Sequence, residues 1–199
     1  MAKIGIFDSG SGGLSVYKEI VRLLPSEQYV YVSDSAFCPY GEKTREQVTQ
    51  RSRVITEFLT GLGCEVVVIA CNTATAAAIS TLRAEYDIPF IGMEPAVKLA
   101  ATSTRSGVIG VLATAGTLRA SKYIDTRERY SKEVRVVESV GQGFVELVES
   151  GDLHSDNTRR TVSRSVLPLI EAGADTLVLG CTHYPFLMEI GRASCRERV

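Results

Sequence analysis

The chain has 199 residues, a net charge of −1, and 45% hydrophobic against 23% charged residues. That is ordinary for a globular protein of one large or two small domains. The near-neutral balance gives no electrostatic footprint for nucleic acid or an anionic membrane surface. No apolar run approaches the roughly 18–20 residues needed to span a bilayer. The start leads straight into a strand pattern, so no signal peptide and a cytoplasmic location are expected. The five cysteines, at positions 38, 64, 71, 181 and 195, and the two histidines, His154 and His183, include no C-x-x-C pair and no zinc spacing. A disulfide framework is not expected in a reducing compartment. Cys64 reads as a small buried hydrophobe and His154 as a surface residue. Cys38 falls in a loop without an assigned role.

Residues 3–7 read as a strand, followed by Asp8-Ser9-Gly10-Ser11-Gly12-Gly13 and a helix over about 14–24, ended by Pro25. The glycine-rich turn is either an anion cradle at a helix N-terminus or a plain strand–helix turn. It is not a phosphate-binding P-loop, because no Gly-Lys-Ser/Thr follows. Residues 28–33 form a second strand, and the loop after it carries Pro39-Tyr40-Gly41. Thr44 caps a long helix that Gly63 stops. A strand over 65–70 delivers Cys71, and an alanine-rich helix follows to about Tyr86, so Cys71 stands at a helix N-terminus, where a thiolate is favoured. Residues 88–93 form a short strand, and Glu94-Pro95 marks a crossing point. The pattern then restarts. A strand runs over 107–112, a small-residue turn at 113–117 opens a helix over about 117–129, and a strand follows over 134–138. Next come a short helix with Glu146 and Glu149, a helix from Ser155 or Asp156 to about Ala172 ended by Gly173, and a strand over 176–180 that delivers Cys181.

The two halves share one plan: strand, turn, helix, strand, loop, helix, strand, cysteine. The strand Glu65-Val-Val-Val-Ile-Ala-Cys71-Asn72-Thr73 is echoed by Asp175-Thr-Leu-Val-Leu-Gly-Cys181-Thr182-His183. Both are short apolar runs without alternation, as buried parallel strands are. Their carboxyl ends are where open α/β sheets place ligand sites. The expected fold is therefore α/β, with two pseudo-symmetric doubly wound parallel-sheet lobes, residues 1–94 and 95–188, and the active site in the cleft between them.

A thiol on each wall of such a cleft allows a redox disulfide or a proton transfer. Inverting a carbon stereocentre takes a base on one face and an acid on the other. A thiol, with an unperturbed pKa of about 8.5, suits both roles once a helix N-terminus or a cation assists it. Asp8 and His183 are candidates to assist. A non-catalytic amino-acid or anion-binding protein is the alternative from another class. No metal set is evident and no lysine sits in a pyridoxal-phosphate context, so a cofactor-free reaction is the simplest.

Four motifs in one collinear order carry a family resemblance: Phe7-Asp8-Ser9-Gly10-x-Gly12-Gly13, Pro39-Tyr40-Gly41, Ala70-Cys71-Asn72-Thr73-Ala74 and Gly180-Cys181-Thr182-His183-Tyr184-Pro185. Together they resemble the glutamate racemases of the aspartate/glutamate racemase family, over about residues 3–188. The resemblance implies a cofactor-independent isomerase without a metal that supplies D-glutamate for peptidoglycan. It implies that Cys71 deprotonates the D-enantiomer and Cys181 the L-enantiomer, with Asp8 tuning Cys71 and His183 tuning Cys181. Glu149 then assists on the Cys181 side. Ser9, Tyr40, Gly41, Asn72, Thr73 and Thr182 hold the substrate, and Thr114 and Thr117 line the cleft. Glutamate is the implied small-molecule partner, and a homodimer stays open. An aspartate racemase is the nearest rival; the Asp8-Ser9-Gly10 turn and the Tyr40 loop favour glutamate.

The text changes character after Met188. The segment 189–199 follows no period and is expected to be foreign to the fold, a translated adapter in which Cys195 has no function. Family members run on past the Thr-His-Tyr-Pro motif and return to complete the first lobe. On that reading the first lobe is incomplete and exposes apolar surface, and the chain is poorly stable and weakly active or inactive.

Overall fold

The computed structural model describes residues 1–196. It divides into two compact units, Met1–Glu94 and Pro95–Val199. Among the described residues no helix is long and apolar enough to cross a membrane.

The first unit is built on a four-stranded parallel sheet. Its strands β1 (Lys3–Asp8), β2 (Gln28–Ser33), β3 (Val66–Ile69) and β4 (Phe90–Gly92) lie in the order β2-β1-β3-β4. Helix α1 (Leu14–Leu23) joins β1 to β2, α2 (Arg45–Gly61) joins β2 to β3, and α3 (Asn72–Glu85) joins β3 to β4. Side chains alternate across the sheet. Phe7, Val67 and Ile69 point to a core with Val48, Ile55 and Leu59 of α2 and Ala74, Ala78 and Leu82 of α3. Ile4, Ile6, Val68 and Ala70 face the other way, against Val16, Tyr17 and Ile20 of α1. Helix α2 starts as the sequence predicts. Gln47 N–H donates to Thr44 Oγ1 at 3.2 Å, and Thr44 N–H donates back to Gln47 Oε1 at 3.0 Å, a reciprocal capping box. It ends at Gly63, whose φ of 80° only glycine adopts without strain.

The second unit repeats the plan with three parallel strands. β5 (Val108–Ala113), β6 (Arg135–Val140) and β7 (Thr176–Gly180) are ordered β6-β5-β7. As in the first unit, the earliest strand is central and its two successors flank it. Helices α4 (Val97–Ser103) and α6 (Ser121–Tyr130) cover one face, where Val97, Ala100, Ile109, Val111, Tyr123 and Val178 pack together. Helices α5 (Ala115–Leu118) and α7 (Phe144–Glu149) follow the carboxyl ends of β5 and β6, and α8 (Asp156–Glu171) packs on β5 and β6.

Three elements depart from the sequence reading. Helix α4 directly follows Pro95, where only a crossing point is expected. The single helix expected over 117–129 is two, α5 and α6, broken where Ala120 turns extended at ψ 134°. No glycine or proline marks that break. The third concerns the tail. Instead of lacking a period, it begins with helix α9 (Met188–Arg196), which packs on α8. Leu187 and Ile190, buried three residues apart, start an apolar stripe there, and Gly191 follows beside Val162. Residues 197–199, and the side chain of Cys195, lie outside the described residues.

Candidate active site

In the first unit the candidates gather at the carboxyl end of the sheet. Phe7 pairs with Ile69 in register, so Asp8 and Cys71 leave adjacent strands at one edge. Asp8 is fully buried. Its Oδ2 accepts the N–H groups of Gly10 at 3.1 Å and Gly13 at 3.0 Å, so the glycine turn closes on a carboxylate of its own chain. Glycine is obligatory at 13, because a Cβ there would lie 2.6 Å from Asp8 Cβ and 2.8 Å from Tyr31 Oη. Ser9 is buried next to Asp8.

Cys71 is the N-cap of the fourteen-residue α3, and its Sγ accepts the Ala74 N–H at 3.4 Å. Unpaired N–H groups and the dipole at a helix start favour an anion there, which is the condition for a reactive thiolate. Asn72 and Thr73 fill the first turn, and both are more than nine-tenths buried. Asn72 Oδ1 has no hydrogen-bond partner among the described residues. A buried acceptor without a donor is costly, and native proteins rarely leave one so.

Tyr40 and Gly41 belong to a short 3-10 turn and are both buried. The Tyr40 hydroxyl donates to Asp34 Oδ2. Burial first, and then that bond, hold the phenol protonated far above its ordinary range. Arg51 of α2 grips the same carboxylate with two bonds, Nε to Oδ2 at 3.0 Å and an Nη to Oδ1 at 2.8 Å. Its guanidinium lies 3.8 Å from the centre of the Phe37 ring. The sequence reading passes over Asp34 and Arg51. The signals were an acid immediately after β2, much as Asp8 closes β1, and an arginine between Val48 and Ile55 on the apolar stripe of α2.

In the second unit Cys181 follows β7, but no α-helix starts there. The chain turns, with Tyr184 N–H bonding to the Cys181 carbonyl at 3.2 Å, and passes into a 3-10 segment at Tyr184–Leu187. The thiol is served by a side chain instead. His183, 1% exposed, sets Nδ1 at 3.8 Å from Cys181 Sγ and Nε2 at 2.6 Å from Glu149 Oε1. A carboxylate at Nε2 favours the proton on that nitrogen, which leaves Nδ1 as an acceptor facing Cys181 Sγ. Glu149 ends α7, so the loop after β6 and the turn after β7 meet in this relay. Tyr184 is pinned beside it, edge-to-face on Phe144 with centroids 4.9 Å apart. Burial, and then negative charge on Cys181, push its phenol well up. Thr182 is buried. Thr114 caps α5 by accepting the Thr117 N–H at 3.2 Å, and the two hydroxyls bond at 3.1 Å, so both serve the turn after β5.

Residues 4–196 match the family model described as Asp/Glu/Hydantoin racemase. A glutamate racemase of Pseudomonas putida is 55% identical over 187 residues, 94% of this chain and 71% of the relative. Solved structures agree. A glutamate racemase isoform from Bacillus anthracis superposes with a TM-score of 0.87 at 35% identity, covering 97% of this chain and 73% of that one. The Escherichia coli glutamate racemase, in complex with L-glutamate and the activator UDP-MurNAc-ala, has a TM-score of 0.87 at 34% identity, covering 99% and 80%. With two parallel-sheet α/β units, a cysteine ending one strand of each, and these relatives, the chain belongs to the Asp/Glu/Hydantoin racemase family.

Proposed function

We propose that the chain interconverts L- and D-glutamate by proton transfer between two thiols and the substrate α-carbon. One observation carries the reading: each unit ends a strand in a buried cysteine with its own means of stabilising a thiolate. Cys71 has the N-terminus of α3 and the Ala74 N–H, and Cys181 has His183 backed by Glu149. Cys181 gives its proton to His183 Nδ1 and removes the α-proton of L-glutamate. Cys71, as a thiol, returns a proton to the opposite face. The reverse direction exchanges the roles, with Cys71 as the base for D-glutamate and Asp8 behind it. The proton inventory closes on side chains alone, so the reaction calls for no cofactor.

Substrate contacts come from Ser9, Tyr40, Gly41, Asn72, Thr73 and Thr182, with Thr114 and Thr117 further along the strand ends. The partnerless Asn72 Oδ1 supports this, since a substrate ammonium supplies the donor it lacks. The relatives named above, one of them solved with L-glutamate, support glutamate over aspartate. The activator bound by the E. coli protein, UDP-MurNAc-ala, supports a role in supplying D-glutamate to peptidoglycan.

The test is α-proton exchange in deuterated water, starting from each enantiomer. Cys181→Ser should lose exchange from L-glutamate by roughly a thousand-fold, ~4 kcal/mol of barrier, and keep most exchange from D-glutamate. Cys71→Ser should show the reverse. Equal losses from both enantiomers would sink the assignment of one thiol to each.

A further inference from the structure

Asp34 stands where three separate parts of the first unit meet. Its backbone N–H donates to the Asp8 carbonyl at 3.0 Å, tying it to the end of β1. Its carboxylate takes the Tyr40 hydroxyl through Oδ2, and the Arg51 fork reaches both oxygens at 3.0 and 2.8 Å. Arg51 sits over the ring of Phe37, in the same loop as Tyr40. The carboxylate is only 7% exposed and the guanidinium 25%. A charge pair this enclosed persists only when its hydrogen bonds are met, and removing one partner is strongly destabilising. The result is one rigid piece: the end of β1, the 35–42 loop and α2, locked through a single carboxylate.

We infer that Asp34 and Arg51 are positioning residues for the substrate contacts Tyr40 and Gly41, holding that loop in register with Asp8. This rests on the glutamate reading above. Tyr40 itself has no spare proton to move, because its hydroxyl is committed to Asp34. Its part is to be a fixed neutral wall, and the clamp is what fixes it. Preorganisation of this kind lowers the cost of binding without touching the reacting atoms. Losing it should therefore raise KM rather than lower kcat.

Helix α2 supplies an internal control. Arg53, two residues on, makes an equally bidentate pair with Glu85, at 2.7 and 2.6 Å, but on the exposed face of α2. Arg51→Lys keeps the charge and loses the fork. It should raise KM for both glutamate enantiomers about tenfold, with kcat changed no more than about threefold. Arg53→Lys should leave both constants alone. Tyr40→Phe removes only the hydroxyl, and should raise KM less than additively in combination with Arg51→Lys, because both act through Asp34. Calorimetric titration of D-glutamate should show the same rise in Kd.

An Arg51→Lys protein with a lower melting temperature but unchanged KM and Kd would make the pair merely structural and overturn the inference. Fully additive effects would overturn the shared route through Asp34. If the unsubstituted chain binds glutamate without exchanging its α-proton, the two-thiol reading fails, while the Kd comparison still decides the clamp. If it does not bind glutamate at all, both fail.

Discussion

The two units make the same strand and finish it differently. After β3 the chain passes at once into α3, and Cys71 becomes the cap of a long helix, served by backbone N–H groups. After β7 it turns into a 3-10 segment, and Cys181 is served by an imidazole and a carboxylate from another loop. A backbone donor is fixed whenever the helix is folded. A histidine–glutamate relay depends on two side chains and on which of them holds the proton. On the two-thiol proposal, the same chemical end is reached in one unit by secondary structure and in the other by side-chain chemistry, and a nearly symmetric reaction does not require symmetric means.

Substitutions can break that comparison at each level. The largest effect expected on stability is on the separate cores. Leu59 is fully buried against β1, and Leu169 is 2% exposed against β5. Leu59→Ala should cost about 3 kcal/mol, and so should Leu169→Ala. Amide hydrogen exchange should show the first loosening β1 and β3 and the second β5 and β7. Equal loss of protection in both sheets from either change would contradict two self-contained cores. Next comes the relay. Glu149→Gln preserves an oxygen for His183 Nε2 and removes the charge, so exchange from L-glutamate should fall roughly 10–100-fold. Exchange from D-glutamate should change only a few-fold; a matching fall would mean that Glu149 serves both thiols.

The smallest effect concerns the entry to β7. Asp175 accepts the Thr104 hydroxyl at 2.6 Å and the Arg105 and Ser106 N–H groups at 2.7 and 2.8 Å. The Thr104 hydroxyl above all, then the backbone donors, hold its carboxyl well below the usual carboxylate range. Its folded value is depressed, so its stabilisation is complete above the unfolded value of about 4 and is lost as pH falls through the lower folded one. The group is exposed, so the effect is modest. Asp175→Asn should lower the melting temperature slightly at pH 7, and the gap to the unsubstituted chain should narrow progressively as pH falls below about 4 toward the depressed folded value. A gap that persists in acid would assign the effect to packing.

Most of the fold was legible because it is written locally. Apolar runs gave all seven strands found among the described residues, Thr44 and Ser155 gave helix starts, and Gly63 and Gly173 gave helix ends. The position of Cys71 at a helix start was legible for the same reason. What stayed hidden is written across distance or beneath charge. The arginines around Ile190 concealed the stripe that seats α9 on α8. The break between α5 and α6 carries no glycine or proline. The Asp34–Arg51 clamp joins residues seventeen apart in sequence on different elements, and no periodicity reports a pairing of that kind. The contact between His183 and Glu149 spans thirty-four positions, and it was reached by resemblance rather than by pattern.

The near-complete burial of His183 has a consequence outside catalysis. Its Nε2 is tied to Glu149 at 2.6 Å, and the ring is 1% exposed. A ring so enclosed has little water with which to trade its proton. That N–H should exchange slowly enough to give its own far-downfield proton resonance in ordinary water. The signal would be a built-in reporter that vanishes when Glu149 is replaced by a residue that cannot accept, and shifts when the thiol beside it changes charge.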